Sequence, residues 1–105
     1  MSLQYSLGLC HQSIRYLTSN ETFDTRLSNA ISEMDVSQRN DTSNEIFDNW
    51  ITLRDQYYSI NKEDSNQLEK ISENLLNIIF EWIEYNTLTI HCNNITEEGD
   101  NLITE

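Results

Sequence analysis

The chain of 105 residues holds two cysteines and two histidines, arranged as the doublets Cys10-His11 and His91-Cys92. Thiolate and imidazole are the common ligands of zinc, so four such groups in two pairs raise the question of a Cys2His2 site. Adjacent residues serve it badly. On a helix neighbours point about 100° apart and on a strand they point to opposite faces, whereas paired zinc ligands are usually separated by about two to four residues. Cys10 therefore reads as a core residue with His11 at the helix edge. The same doublets raise a Cys-His nucleophile, which needs a third orienting group and an oxyanion pocket, often built from Gly-rich turns. Gly8 inside a first helix and Gly99 near the end are the only glycines, and no GxxxxGK, GxSxG or HExxH sequence occurs. The sequence predicts a protein that is not an enzyme and takes no metal or cofactor. A Cys10 to Cys92 disulfide is allowed by count, but a reducing compartment favours thiols.

Aromatic side chains are the next candidates, since Trp50, Tyr57, Tyr58, Phe80, Trp82 and Tyr85 fall on two consecutive expected helices. They would line either a ligand pocket or, as helical spacing favours, a core with the tyrosine hydroxyls near its rim.

Charge carries more information. The chain has 18 acids against 6 bases, a formal net charge of −12. Binding to a phosphate backbone depends on Lys and Arg displacing condensed counterions, so direct contact with nucleic acid or an anionic membrane is disfavoured. A basic protein is the natural counterpart. Residues 1–42 carry a net of only −2, whereas residues 43–105 carry 13 acids against Arg54, Lys62 and Lys70. Glu69, Glu73 and Glu81 recur at multiples of four with Asn77 in the gap and Glu84 one turn further, while Glu45, Asp48 and Asp55 make a second acidic edge. Like charges four apart on a helix repel by a few tenths of a kcal/mol. A Lys- or Arg-lined surface across both edges would relieve that repulsion and gain steered association. These seven carboxylates are the predicted partner-binding residues, with an apolar interface centred on Trp82 and its neighbours as the alternative. A plainly solvated helix face is the competing explanation of the stripe.

Four helices must position these groups. Leu3, Leu7, Cys10, Ile14 and Leu17 place one apolar stripe on a helix over residues 2–18. Ser19 or Asn20 caps a second helix carrying Phe23, Leu27, Ala30, Ile31 and Met34, which folds back on the first. Thr42-Ser43-Asn44-Glu45 fits a capping box ahead of a third, with Ile46, Trp50, Leu53 and Tyr57 as its seam. Asp64 or Ser65 caps a fourth, whose stripe is Leu68, Ile71, Leu75, Ile78, Trp82 and Tyr85. From Leu75 to Tyr85 that helix is apolar over most of its circumference. It is expected in the core, and burial against a second copy as a homodimer is the alternative. After Asn86 the alternation of Leu88, Ile90 and Cys92 with Thr87, Thr89 and His91 breaks the helical period, and 93–105 is expected as a polar, mobile tail, or at most one turn of helix begun by Asn94-Ile95-Thr96-Glu97. The expectation is an all-α single-domain antiparallel bundle over 1–92. No apolar run approaches the ~20 residues of a membrane span, and Met1-Ser2-Leu3-Gln4-Tyr5 lacks a basic start, so the cytoplasm is expected.

Two functions fit such a surface. The chain would neutralise a toxin such as a nuclease, as immunity proteins and antitoxins do, or imitate DNA phosphates to occupy a nucleic-acid-binding protein, as phage inhibitors of restriction or CRISPR effectors do. Imitation calls for a long regular array of carboxylates, and this run is short, so neutralisation ranks first. From Asn44 to Tyr85 the chain resembles, without gaps, the small acidic family that modulates toxicity of the nucleoid-associated protein Hha. Asn44, Glu45, Thr52, Tyr57, Glu63, Asp64, Glu69, Ile71, Glu73, Leu75 and Tyr85 coincide. Asn40-Asp41-Thr42-Ser43 is similar to the family's turn but lacks its proline and nearby tryptophan, and residues 1–39 match poorly. The resemblance implies a helical, antitoxin-like protein acting on a small partner, and it transfers no catalytic residue.

Overall fold

The computed structural model describes the backbone of residues 2–104 and the side chains of residues 3–92. Its elements are α1 (Ser2–Leu17), α2 (Phe23–Met34), a 3-10 turn (Arg39–Asp41), α3 (Asn44–Ser59) and α4 (Ser65–Thr104). They form an all-α bundle in which α1 packs on α2, α3 on α4, and α1 also on α4.

α1 meets α2 through a face turned slightly from the apolar stripe of the sequence. Ser6, Leu9, Cys10 and Ser13 are buried, while Leu3, Leu7, Ile14 and Leu17 are half-buried at its margins. Small side chains explain the rotation, because Ser13 lets the helices approach until its hydroxyl donates to the Ala30 carbonyl at 3.3 Å. The Arg26 guanidinium donates to the Leu17 carbonyl at 3.1 Å, supplying a cation where the last carbonyls of α1 lack helical partners. The cap of α2 is Thr22, not Ser19 or Asn20 as expected. Its hydroxyl accepts from the Thr25 amide, and Ser19 instead donates to the Tyr16 carbonyl at the end of α1.

Gly8 lies in mid-helix, and a Cβ built there would meet nothing within 4 Å. Alanine should therefore remove only the entropic cost of glycine, adding about 0.5–1 kcal/mol of stability and a few degrees of Tm. A thermal melt of Gly8→Ala checks this, and an unchanged or lower Tm would contradict the packing described.

Cys10 is wholly buried in the same helix, and burial pushes its thiol from 9.0 up to about 12. In a Cys92→Ser background Cys10 should resist thiol reagents at pH 8 until denaturant is added, because only the thiolate reacts. Above pH 9 the unfolded thiol ionises while the folded one holds its proton until about 12, so this group lowers stability as pH rises through that window.

The linker between the helical pairs is short and internally bonded. The Asp41 carboxylate accepts from the Gln38 amide at 2.7 Å, and the Asp41 amide donates to the Gln38 carbonyl at 2.9 Å. α3 then starts one residue later than the predicted capping box: Ser43 is the cap, accepting from the Ile46 amide at 3.1 Å, and Thr42 is buried behind it. Asp64 caps α4 as predicted, its carboxylate accepting from the Gln67 amide at 3.2 Å.

The core closes where α3 and α4 bring their tryptophans inward. Trp50 and Trp82 are both fully buried, with Phe47 edge-on to Trp82 at 6.3 Å between ring centroids. Leu68, Ile71, Leu75, Ile78 and Ile79 complete the α4 face. Trp82 itself has no exposed surface, so an apolar interface in this region would have to use its neighbours, of which Phe80 is exposed.

α4 also overturns the expected break after Asn86. It runs on to Thr104, 40 residues and therefore about 60 Å, which matches the 63 Å long axis of the molecule. Neither Gly nor Pro stands between Asn86 and Glu98, and adding residues to a formed helix costs far less than starting one. Burial follows the helical period here: Asn86 is buried and Thr89 and Ile90 half-buried, while Thr87, Leu88, His91 and Cys92 are exposed. The expected mobility of 93–105 concerns residues whose side chains lie outside those described.

Asn86 is the centre of a buried polar node. The two hydrogens of its amide nitrogen are shared among three acceptors, the Asp41 carbonyl at 2.8 Å, Ser6 Oγ at 2.8 Å and the Leu3 carbonyl at 3.1 Å. Ser6 Oγ also accepts from Trp82 Nε1 at 3.1 Å and lies 2.9 Å from the Asp41 carbonyl, to which it donates. One asparagine thereby joins α1, the 3-10 turn and α4. Among the described residues its own Oδ1 has no hydrogen-bond partner.

Candidate functional site

The acidic face lies on the outer side of the α3–α4 pair. All seven predicted carboxylates, Glu45, Asp48, Asp55, Glu69, Glu73, Glu81 and Glu84, are exposed. Their local partners divide them into two groups.

Asp48 and Asp55 on α3 already face cations. Arg39 donates to Asp48 at 2.8 Å while its guanidinium lies 5.1 Å from the Phe47 ring centroid. Arg54 bridges Asp35 at 3.1 Å and Asp55 at 3.5 Å, and the hydrogen bond to Asp35 is the first cause of its raised pKa. Exposed pairs of this kind contribute about 0–1 kcal/mol, so they yield readily to a stronger partner. They still make these two carboxylates the less available ones. By contrast Glu45, Glu69, Glu73, Glu81 and Glu84 take part in no ion pair among the described residues.

The geometry of α4 also separates the carboxylates that the sequence set on one line. A helix advances about 100° per residue, so a spacing of four drifts by about 40° at each step. Glu69 and Glu73 stay on the outer ridge, and Glu84 returns to it. Glu81 has drifted to the side facing α3, where it borders a shallow groove with Asn49, Thr52, Gln56, Asn74 and Asn77. Lys70 and Gln67 stand near Glu69 and Glu73 in a neighbouring depression. Carboxamides thus fill the space between the two acidic edges. They add hydrogen-bond donors and acceptors without adding charge.

Phe80 sits on the same ridge and was placed by the sequence among the residues around the core. It is 55% exposed, between Glu73 and Glu84. Of the six aromatics considered together, Trp50, Tyr57 and Trp82 are buried, and Tyr58, Phe80 and Tyr85 are exposed, so they do not line one pocket. The signal for Phe80 was present in its spacing, seven residues after one glutamate and four before another.

No described group of three or more His, Cys, Asp or Glu side chains is arranged to hold a metal. Cys10 is buried while His11 is exposed, so that doublet points in two directions. Nor is any described helix long and apolar enough to cross a membrane.

Comparison of the chain with protein-family models, with curated proteins and with solved structures finds no match.

Proposed function

We propose that the chain is a non-catalytic, cytoplasmic protein that binds and neutralises a basic protein through its α3–α4 face, in the manner of an immunity protein or antitoxin directed at a toxin such as a nuclease. The observation that carries this reading is the unequal pairing of charge: five of the seven predicted carboxylates are exposed on one helical pair and take part in no ion pair among the described residues. Their mutual repulsion is a standing cost that a Lys- or Arg-rich surface removes on binding.

The Hha-modulating family supplies the second reading, on the resembling stretch from Asn44 to Tyr85, which takes in α3 and about the first half of α4. The partner would then be a small nucleoid-associated protein. Imitation of duplex DNA has less support, since Phe80 interrupts the ridge on which a regular array would have to run.

Affinity capture from the native host at low salt tests the proposal. It predicts one basic protein retained at a fixed stoichiometry and released by salt. Retention of an acidic protein, or of none, contradicts it.

A further inference from the structure

Solubility explains exposed glutamates but not a bare aromatic ring among them. Phe80 leaves 55% of its surface to solvent. Taking it as the reference on α4, the helical advance places Glu73 and Glu84 about 20–40° to one side of it and Leu76 and Ile83 about 40–60° to the other, with Glu69 about 20° toward that second side and about three turns nearer the start of the helix. Leu76 and Ile83 are half-buried, and Ile83 packs against the core, so Phe80 is the outermost part of an apolar strip that rises from the interior. The ridge therefore combines an apolar centre with an anionic border, the arrangement in which one buried anchor supplies affinity and the surrounding charges supply register and rate.

We infer that Phe80 is the anchor of the partner interface, and that its counterpart is an amphipathic helix carrying an apolar stripe flanked by Lys or Arg. This deepens the proposed function and rests on its reading of the acidic face. Charge selects the occupant. A second copy of this chain would set Glu69, Glu73 and Glu84 against the same residues, and Lys70 is the only Lys or Arg that α4 offers to offset them. A basic helix meets each of them with an opposite charge. The linear order of the groups along α4 suits a helix laid beside it, since side chains on both then recur at three- and four-residue steps.

Two synthetic peptides of equal length and equal positive charge separate the anchor from the charge. One is an amphipathic Leu/Lys helix and the other replaces every Leu with Ser. Wild-type protein is expected to bind the amphipathic peptide about tenfold more tightly, the contribution of one buried aromatic ring. Phe80→Ala should erase that difference, leave the Ser/Lys affinity unchanged and leave the thermal melt in place, since the ring is outside the core. Tyr58→Ala, which removes an exposed ring on α3, should alter neither affinity. Equal binding of both peptides to wild type, or a difference that survives Phe80→Ala, overturns the anchor while leaving the acidic-face reading intact. Failure to bind either peptide at low salt defeats the reading of the face itself. A concentration-dependent dimer that dissociates on Phe80→Ala would give the ridge to a second copy and overturn the inference.

Discussion

Asn86→Asp should cost about 3–5 kcal/mol, because it buries a carboxylate with no cation and turns an oxygen toward groups that accept hydrogen bonds. The Asn86 nitrogen faces the Asp41 carbonyl, the Leu3 carbonyl and a Ser6 hydroxyl already engaged with Trp82 and Asp41. None of those acceptors gains a donor from aspartate. Small domains hold about 5–15 kcal/mol in total, so the variant would be close to unfolding at neutral pH. Asn86→Ala should cost less, about 1–3 kcal/mol, since it leaves carbonyls underserved without adding a charge. Urea unfolding followed by circular dichroism and by tryptophan fluorescence, which senses Trp82 beside the substitution, provides the measurement. Acidification should return part of the loss in the aspartate variant, because the protonated acid regains an O–H donor. An aspartate variant within about 1 kcal/mol of wild type would mean that Asn86 does not hold the node described.

That node also marks where sequence patterns lose their grip. The stripes of α3 and most of α4 were legible because Leu, Ile and Trp at helical spacing have one reason to be there, namely burial. Ser6, Ser13 and Asn86 are buried for a different reason, as each satisfies backbone carbonyls that hydropathy does not count. The face of α1 was consequently drawn too far toward its leucines, and Asn86 was taken as the end of a helix that it helps to dock. The threonines after it mimic a strand pattern, yet a formed helix passes through them. Of the site, exposure of all seven acids was legible. The cation on Asp48 was not, because Arg39 reaches it from nine residues away, nor was the bond by which Arg54, adjacent to Asp55 in sequence, also holds Asp35 across 19 residues.

The second large effect is on binding. Glu69→Lys, Glu73→Lys and Glu81→Lys together should leave helix content unchanged and weaken the complex by roughly 100- to 1000-fold. An exposed ion pair contributes about 0.2–1 kcal/mol, and reversal replaces attraction with repulsion, so three sites lose several kcal/mol. Each reversal removes two negative units, taking the formal charge from −12 to −6. None of the three carries an ion pair among the described residues, so the fold loses no such contact. Removal of i,i+4 repulsion between Glu69 and Glu73 is not gained, since two lysines at the same spacing repel in turn. The effect therefore falls on the partner alone.

The most direct test measures the dissociation constant of the captured partner, with wild type and with this triple variant, at ionic strengths of about 0.01 M and 0.15 M. Wild-type affinity should fall steeply between the two salts, and the triple variant should bind far more weakly and lose that dependence. Equal affinity of the two proteins at both salts would contradict the acidic face as the binding surface.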